Sequence, residues 1–195
     1  MTSGRASARS TLQQARKAPF LVSVFCESDT IDLTELIRTH RLTLTPLQVG
    51  DAAEMVGVLS DPDLYIFTGG EPPTLGGLEE RYRFQVEGSP REDEVWHNWI
   101  VRHDGVAIGY VQATVTGEDA ELAWVVGTQW QGRGFAREAA AAMKRWLADE
   151  GALNFSAHIH PDHHASAGVA IDLGLHPSGQ LDEDGEMIWR LAPHE

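Results

Sequence analysis

Residues 121–143 run ELAWVVGTQWQGRGFAREAAAAM. The first six alternate in the manner of a strand, and from Phe135 onward the apolar residues Phe135, Ala139 and Met143 recur on one helical face. Between them QGRGFA, Gln131 to Ala136, leaves a strand and opens a helix. Several backbone N–H groups therefore converge at a helix N-terminus with no bulky side chain in front of them, which suits an anion. Arg133 and Arg137 add positive charge, and a pyrophosphate is the expected guest. This is not a Walker loop, because no Gly-Lys-Ser/Thr follows. Nor is it the dinucleotide fingerprint, since the third glycine is missing and the preceding strands form hairpins. The plain alternative is a glycine turn that only connects two elements.

Working outward, THRLTLTPL predicts a first strand through Leu42 and Leu44 that ends at Pro46. VGDAAEMVGVLSDPDL predicts a helix capped near Asp51 and stopped at Asp61-Pro62. YIFTGGEPPTLGG, rich in Gly and Pro, predicts an ordered loop or a flexible lip, and LEERYRFQVE a second short helix. VWHNWIVRHDGVAIGYVQATV gives two strands around Asp104-Gly105, a strong hairpin signal. Ala120 to Val126 is a further strand. The helix from Phe135 also turns Trp146 and Leu147 inward and stops at Gly151. NFSAHIH predicts a strand, ASAGVAIDLG a helix, and EMIWRL a closing strand. The order β, α, α, β, β, β, α, β, α, β implies an α/β (α+β) fold, a mixed sheet with helices on its faces.

At 195 residues and 42% hydrophobic composition, the chain suffices for one domain. We expect a loosely ordered N-terminal extension over residues 1–32, rich in Ser and Arg, and the domain proper over 33–195; Ala18 to Phe25 is a candidate added strand. The single cysteine, Cys26, excludes an internal disulfide framework and a cysteine metal cluster. No apolar run is long enough to span a membrane, so a cytoplasmic protein is expected. Of the 15 Lys plus Arg and 29 Asp plus Glu, six and four lie at or before Arg41, leaving nine and 25 beyond it. So acidic a body repels nucleic acid and anionic membrane and draws cationic substrates.

HIHPDHH, His158 to His164, fits H-x-H-x-D-H, a spacing that metallohydrolases use to hold paired metal ions. Such sites draw further His and Asp ligands from a long downstream stretch. Here only His176 and His194 follow as later histidines, and the chain runs out of ligands. The expectation is no metal.

ELAWVVGTQWQGRGFAREAAAAM resembles the acetyl-CoA signature of the GNAT superfamily of N-acetyltransferases, Q/R-x-x-G-x-G/A, in the register Gln131, Gly134, Ala136. RLTLTPLQVGDAAEM is similar to the opening of the branch that holds ribosomal-protein and aminoglycoside acetyltransferases, and HPDHHASAGVAIDLGL to its second signature. The resemblance implies a GNAT-type, mostly antiparallel mixed sheet flanked by helices. It implies acetyl-CoA as co-substrate and an enzyme moving acetyl to a primary amine, small or peptidic, by direct attack. Trp124, Val125 and Val126 would lie along the pantetheine arm, Gln131, Gly132, Arg133, Gly134, Phe135, Ala136 and Arg137 would form the phosphate turn, and the N–H of Val126 would face the thioester oxygen.

Such a transfer needs a base and an acid. Glu121, at the head of its strand, holds the position where the family often keeps a base; an ordinary surface glutamate is the alternative. Glu71 on the lip and His97 on its strand are candidates to meet the acceptor. His163 stands where the family's Asn meets the pantetheine arm. Ala170 stands where a Tyr often protonates the thiolate, and no tyrosine lies beyond Tyr110, so Ser166 and His163 are the acid candidates. A homodimer is left open. The rival readings are a non-catalytic acyl-CoA-binding module and, behind it, a metallohydrolase built on HIHPDH.

Overall fold

A hairpin sets the frame. Asp104 and Gly105 both adopt positive φ, 50° and 82°, the combination that lets a two-residue turn follow the strands' own twist. It joins β3 (Val95–His103) to β4 (Val106–Thr116), which pair antiparallel along their length. The structure, a computed structural model, describes residues 36–192. The proposed strand at Ala18 to Phe25, Cys26 and the boundary at residue 33 lie outside those residues.

Around the hairpin the sheet takes the order β1-β2-β3-β4-β5-β6-β8-β7. Its members are β1 (Ile37–Arg38), β2 (Leu42–Pro46), β5 (Asp119–Val126), β6 (Asn154–Ile159), β7 (Leu175–Leu181) and β8 (Met187–Leu191). Every pairing is antiparallel except β5 with β6. Among the described residues four α-helices accompany it: α1 (Ala52–Val58), α2 (Leu75–Glu87), α3 (Phe135–Asp149) and α4 (His164–Asp172). The sheet and its helices belong to one compact unit. This is the mixed α/β sheet that the segment order implies, and it is mostly antiparallel, as the family resemblance implies.

Strand alternation divides the core in two. Leu42, Leu44, Trp99, Val111, Leu122, Phe155 and Ala157 face α3, whose Phe135, Ala139, Met143 and Leu147 are buried against them. Ile100 and Ala107 face the other way, against Met55 of α1 and Leu78 and Tyr82 of α2. Trp99, fully buried and edge-on to Trp146 at 5.2 Å, anchors the first face. Truncating such a residue to alanine costs about 3–5 kcal/mol.

The structure adds two strands to the six expected. β1 is two residues long, too short for a periodic signal. β7 reads LHPSGQL, is exposed beyond its first residue and breaks register between Pro177 and Leu181. Its Pro and Gly, tolerated only because it is an edge strand, hide it in the sequence. Asp51 stands at the N-cap of α1, as expected, but its carboxylate makes no cap hydrogen bond there and accepts the backbone N–H of Gln48 at 2.8 Å.

Candidate functional site

β5 and β6 pair over three positions only, Asp119 with Asn154, Ala120 with Phe155 and Glu121 with Ser156. Beyond Glu121 the two strands part, while β5 continues its ladder with β4 as far as Val126. The edge of β5 from Leu122 to Val126 therefore borders a wedge that opens toward its C-terminal end. Trp124 and Val125 line this edge half-buried, and Val126 is buried.

At that end the backbone is turned out of the sheet plane. Gly109 of β4 lies opposite Val126, and a β-carbon on residue 109 would fall 2.1 Å from the carbonyl oxygen of Val125. Only glycine leaves room for that carbonyl. In a planar trans peptide the N–H points opposite to the C=O, so the N–H of Val126 is directed to the other face of the sheet. The side chain of Gln131 braces the strand end, its amide donating to the Val126 carbonyl at 3.0 Å.

The phosphate-turn candidate follows. Gly132 and Gly134 have φ of 72° and 79°, left-handed conformations that an L side chain resists. Gly134 caps α3, whose first intrahelical bond runs from the Glu138 N–H to the Gly134 carbonyl. The N–H groups of Phe135, Ala136 and Arg137 precede that bond and point along the positive end of the helix. Arg133 lies over the rings of Trp130 and Phe135, at 5.1 and 4.8 Å. Arg137 pairs with Asp172 of α4. The turn is thus an exposed, small-residue cradle with two arginines at its rim, an arrangement that suits an anion.

Sequence reasoning missed what holds this cradle. Glu138 accepts the Thr39 hydroxyl at 2.6 Å, the Arg41 backbone N–H at 2.9 Å and the Arg41 Nε at 2.7 Å. Burial opposes the charge on Glu138, but those three donors outweigh it and hold its carboxyl below the usual value. Arg41 also donates to the Arg133 carbonyl at 3.0 Å, tying the turn to the start of β2. The only sequence signal was an arginine just before the first strand.

On the face opposite α3, Glu121 of β5 meets His158 of β6, with Nε2 to Oε2 at 3.8 Å. The same imidazole puts Nδ1 2.6 Å from Asp182, in the turn between β7 and β8. Asp182 also accepts the backbone N–H groups of Asp184 and Glu186 at 3.0 and 2.9 Å. His158, Asp182 and the buried Glu186 form the group among the described residues with spacing suited to an ion. The contacts already present favour hydrogen bonding over coordination: both Asp182 oxygens accept hydrogen bonds.

The four residues of the H-x-H-x-D-H pattern are used differently. His158 serves the contacts just described. His160 accepts the Asp162 backbone N–H at 3.2 Å, and Asp162 is exposed. His163 precedes α4, and its ring lies 4.5 Å from Phe67, which is 5.4 Å from His160. Phe67 belongs to the Gly-Pro lip, so this loop is seated on the end of β6 and the start of α4. Burial first, and the neighbouring His160 second, lower the His163 pKa. Ser166 sits half-buried in the first turn of α4, and Ala170, where a tyrosine was considered, is fully buried. Glu71 is exposed on the lip, four residues past Phe67. His97 is not brought to Glu121: it packs on Trp99 and Trp146, at 5.7 and 5.1 Å, on the α3 face of the sheet.

Comparison with known proteins gives the same picture. Residues 41–176, more than half of the chain, match the acetyltransferase (GNAT) domain model. No curated protein sequence matches. Among solved structures, an acetyltransferase of the GNAT family from Bacillus anthracis superposes with a TM-score of 0.68 at 17% identity, covering 82% of this chain and 99% of that one. RimL, a ribosomal L7/L12 alpha-N-protein acetyltransferase, gives 0.68 at 14% identity, over 86% and 96% of the two chains. An aminoglycoside acetyltransferase, AAC(6')-Ib in complex with coenzyme A, gives 0.64 at 17% identity, over 76% and 92%. A wedge between parallel strands, a glycine-capped helix at its mouth and a domain match across both make this chain a member of the GNAT acetyltransferase family.

Proposed function

We propose that the protein transfers acetyl from acetyl-CoA to a primary amine, small or peptidic, by direct attack within a ternary complex. One observation carries the reading: β5 leaves β6 after three pairs, so an unpaired strand edge leads straight to the glycine-capped start of α3. An extended thioester arm can complete that edge with hydrogen bonds from Trp124, Val125 and Val126, as an added strand would. The N–H groups of residues 132–137 would then hold the pyrophosphate, and the outturned Val126 N–H would face the thioester oxygen.

For the chemistry, Glu121 is the proposed base and His163 with Ser166 the proposed acid at the departing sulfur. Burial lowers the His163 pKa and so favours the neutral ring, which makes His163 a weak proton donor and puts the greater share of the acid role on Ser166. Glu71 is proposed to meet a cationic acceptor as it enters under the lip. RimL and AAC(6')-Ib are described as acting on a protein N-terminus and on aminoglycosides, so both acceptor classes belong in a screen. No metal enters this scheme, and we place the protein in the cytoplasm. Among the described residues no helix is long and apolar enough to cross a membrane.

The buried Ala170 favours one second reading, an acyl-CoA-binding module without turnover, because it removes the hydroxyl best suited to protonate the thiolate. A thiol-release assay across polyamines, aminoglycosides, amino acids and N-terminal peptides separates the two. Turnover with at least one amine is expected and should survive a chelator. Tight acetyl-CoA binding without thiol release across the panel would establish the binding module instead.

A further inference from the structure

We propose that His158, oriented by Asp182, is a relay that receives the proton Glu121 takes from the acceptor ammonium. The inference rests on the acetyltransferase reading with Glu121 as base. It begins from the turn between β7 and β8. There one Asp182 oxygen accepts two backbone N–H groups, from Asp184 at 3.0 Å and Glu186 at 2.9 Å, and the other lies 2.6 Å from His158 Nδ1. Backbone donors cannot rotate away, so the carboxylate is fixed, and it fixes the imidazole in turn. The side chains of His158 and Asp182 are only 15% and 11% exposed, so water competes little for the bond.

A carboxylate can only accept, so Nδ1 carries a hydrogen, and whenever the ring holds one proton Nε2 is its acceptor. That nitrogen is 3.8 Å from Glu121 Oε2, a gap closed by a small shift or one bridging water. Among the described residues, the charged groups facing the ring include Glu121 from β5 and Asp182 and Glu186 from the β7–β8 connection. An ordinary surface glutamate has no such partner; a base whose proton must be cleared each turnover has a use for one.

The protons balance. An ammonium N–H bond breaks and its proton passes to Glu121, then to His158 Nε2, while the other ring hydrogen stays on Nδ1, donated to Asp182. The freed electron pair forms the N–C bond to the acyl carbon, the C–S bond breaks, and a second nitrogen proton goes to the thiolate. One proton per turnover remains, which His158 returns to solvent. His158 and Asp182 act through Glu121 and are therefore positioning residues.

Asp182→Asn tests this with little change of shape. Its amide would donate to Nδ1, moving the ring hydrogen to Nε2 and turning an acceptor into a donor. ¹⁵N spectra of histidine-labelled protein should show the Nδ1–H form of His158 in wild type and the Nε2–H form in Asp182→Asn. In steady-state assays at pH 7, His158→Gln and Asp182→Asn should each lower kcat roughly tenfold or more, with the acetyl-CoA KM within about twofold. Added to Glu121→Gln, either should change kcat by less than about twofold, since residues acting as a unit are not additive. An Nε2–H tautomer in wild type, or a His158→Gln enzyme with wild-type rate and pH profile, would overturn the relay while leaving acetyl transfer standing. A Glu121→Gln enzyme with wild-type kcat would overturn the base and the relay together. Absence of thiol release by wild type across the amine panel would overturn the acetyltransferase reading itself.

Discussion

Gly109 has the least room of any glycine at the wedge. Its missing β-carbon is where the Val125 carbonyl sits, so Gly109→Ala must push the end of β5 back toward a flat strand. If the outturned Val126 N–H serves the thioester oxygen, kcat should fall about 10²-fold, the cost of one oxyanion donor, with a preserved circular dichroism spectrum. Gly134→Asp places bulk and negative charge where an anion is expected, and calorimetry should register loss of acetyl-CoA binding in a folded protein. His163 is legible in a third way. Its folded pKa lies below the ordinary 6.5, so the unfolded chain binds more protons there, and stability falls as pH drops below about 6.5. Melting curves at pH 7.5 and 5.5 should therefore differ more for wild type than for His163→Asn.

At the scale of elements, α3 is held by its first turn. Thr39 and Arg41 clamp Glu138, and Arg41 reaches on to the Arg133 carbonyl. Arg41→Ala should leave the fold intact and loosen the cradle, raising the acetyl-CoA KM roughly three- to tenfold with kcat little changed; steady-state kinetics would show it. The sequence reveals α3 itself because its face repeats at helical spacing and its cap is a glycine. It does not reveal the clamp, because Glu138 is 97 residues from Arg41 and nothing local marks the pair. The same applies to Asp182. His158 stands out inside HIHPDHH, yet its partner lies 24 residues on, at the end of an edge strand whose Pro and Gly disguise it. The H-x-H-x-D-H residues make separate contacts for a related reason, since neighbours in a strand and turn point to different places. What local pattern encodes is the strand, turn and helix; what long-range pairing decides is which side chains meet. His97, on an alternating strand, could be assigned to a face only once the register with β4 and β5 was known.

For the whole molecule, the decisive feature is the three-residue join between β5 and β6. Five strands lie on one side of it and three on the other, and the ladder between the two groups is missing its upper rungs. A thioester arm bonded to β5 inside the wedge would replace those rungs, so the co-substrate would act as a temporary piece of secondary structure. Hydrogen exchange should then slow in β6 and β8 as well as in β5 when acetyl-CoA is added, and return on dilution; protection confined to the α3 cradle would mean the arm lies elsewhere. On the proposed function the molecule would be an unfinished sheet, stiffest at the moment of catalysis and slackest when the thiol product departs. Each turnover would then be a cycle of knitting and unravelling at one seam.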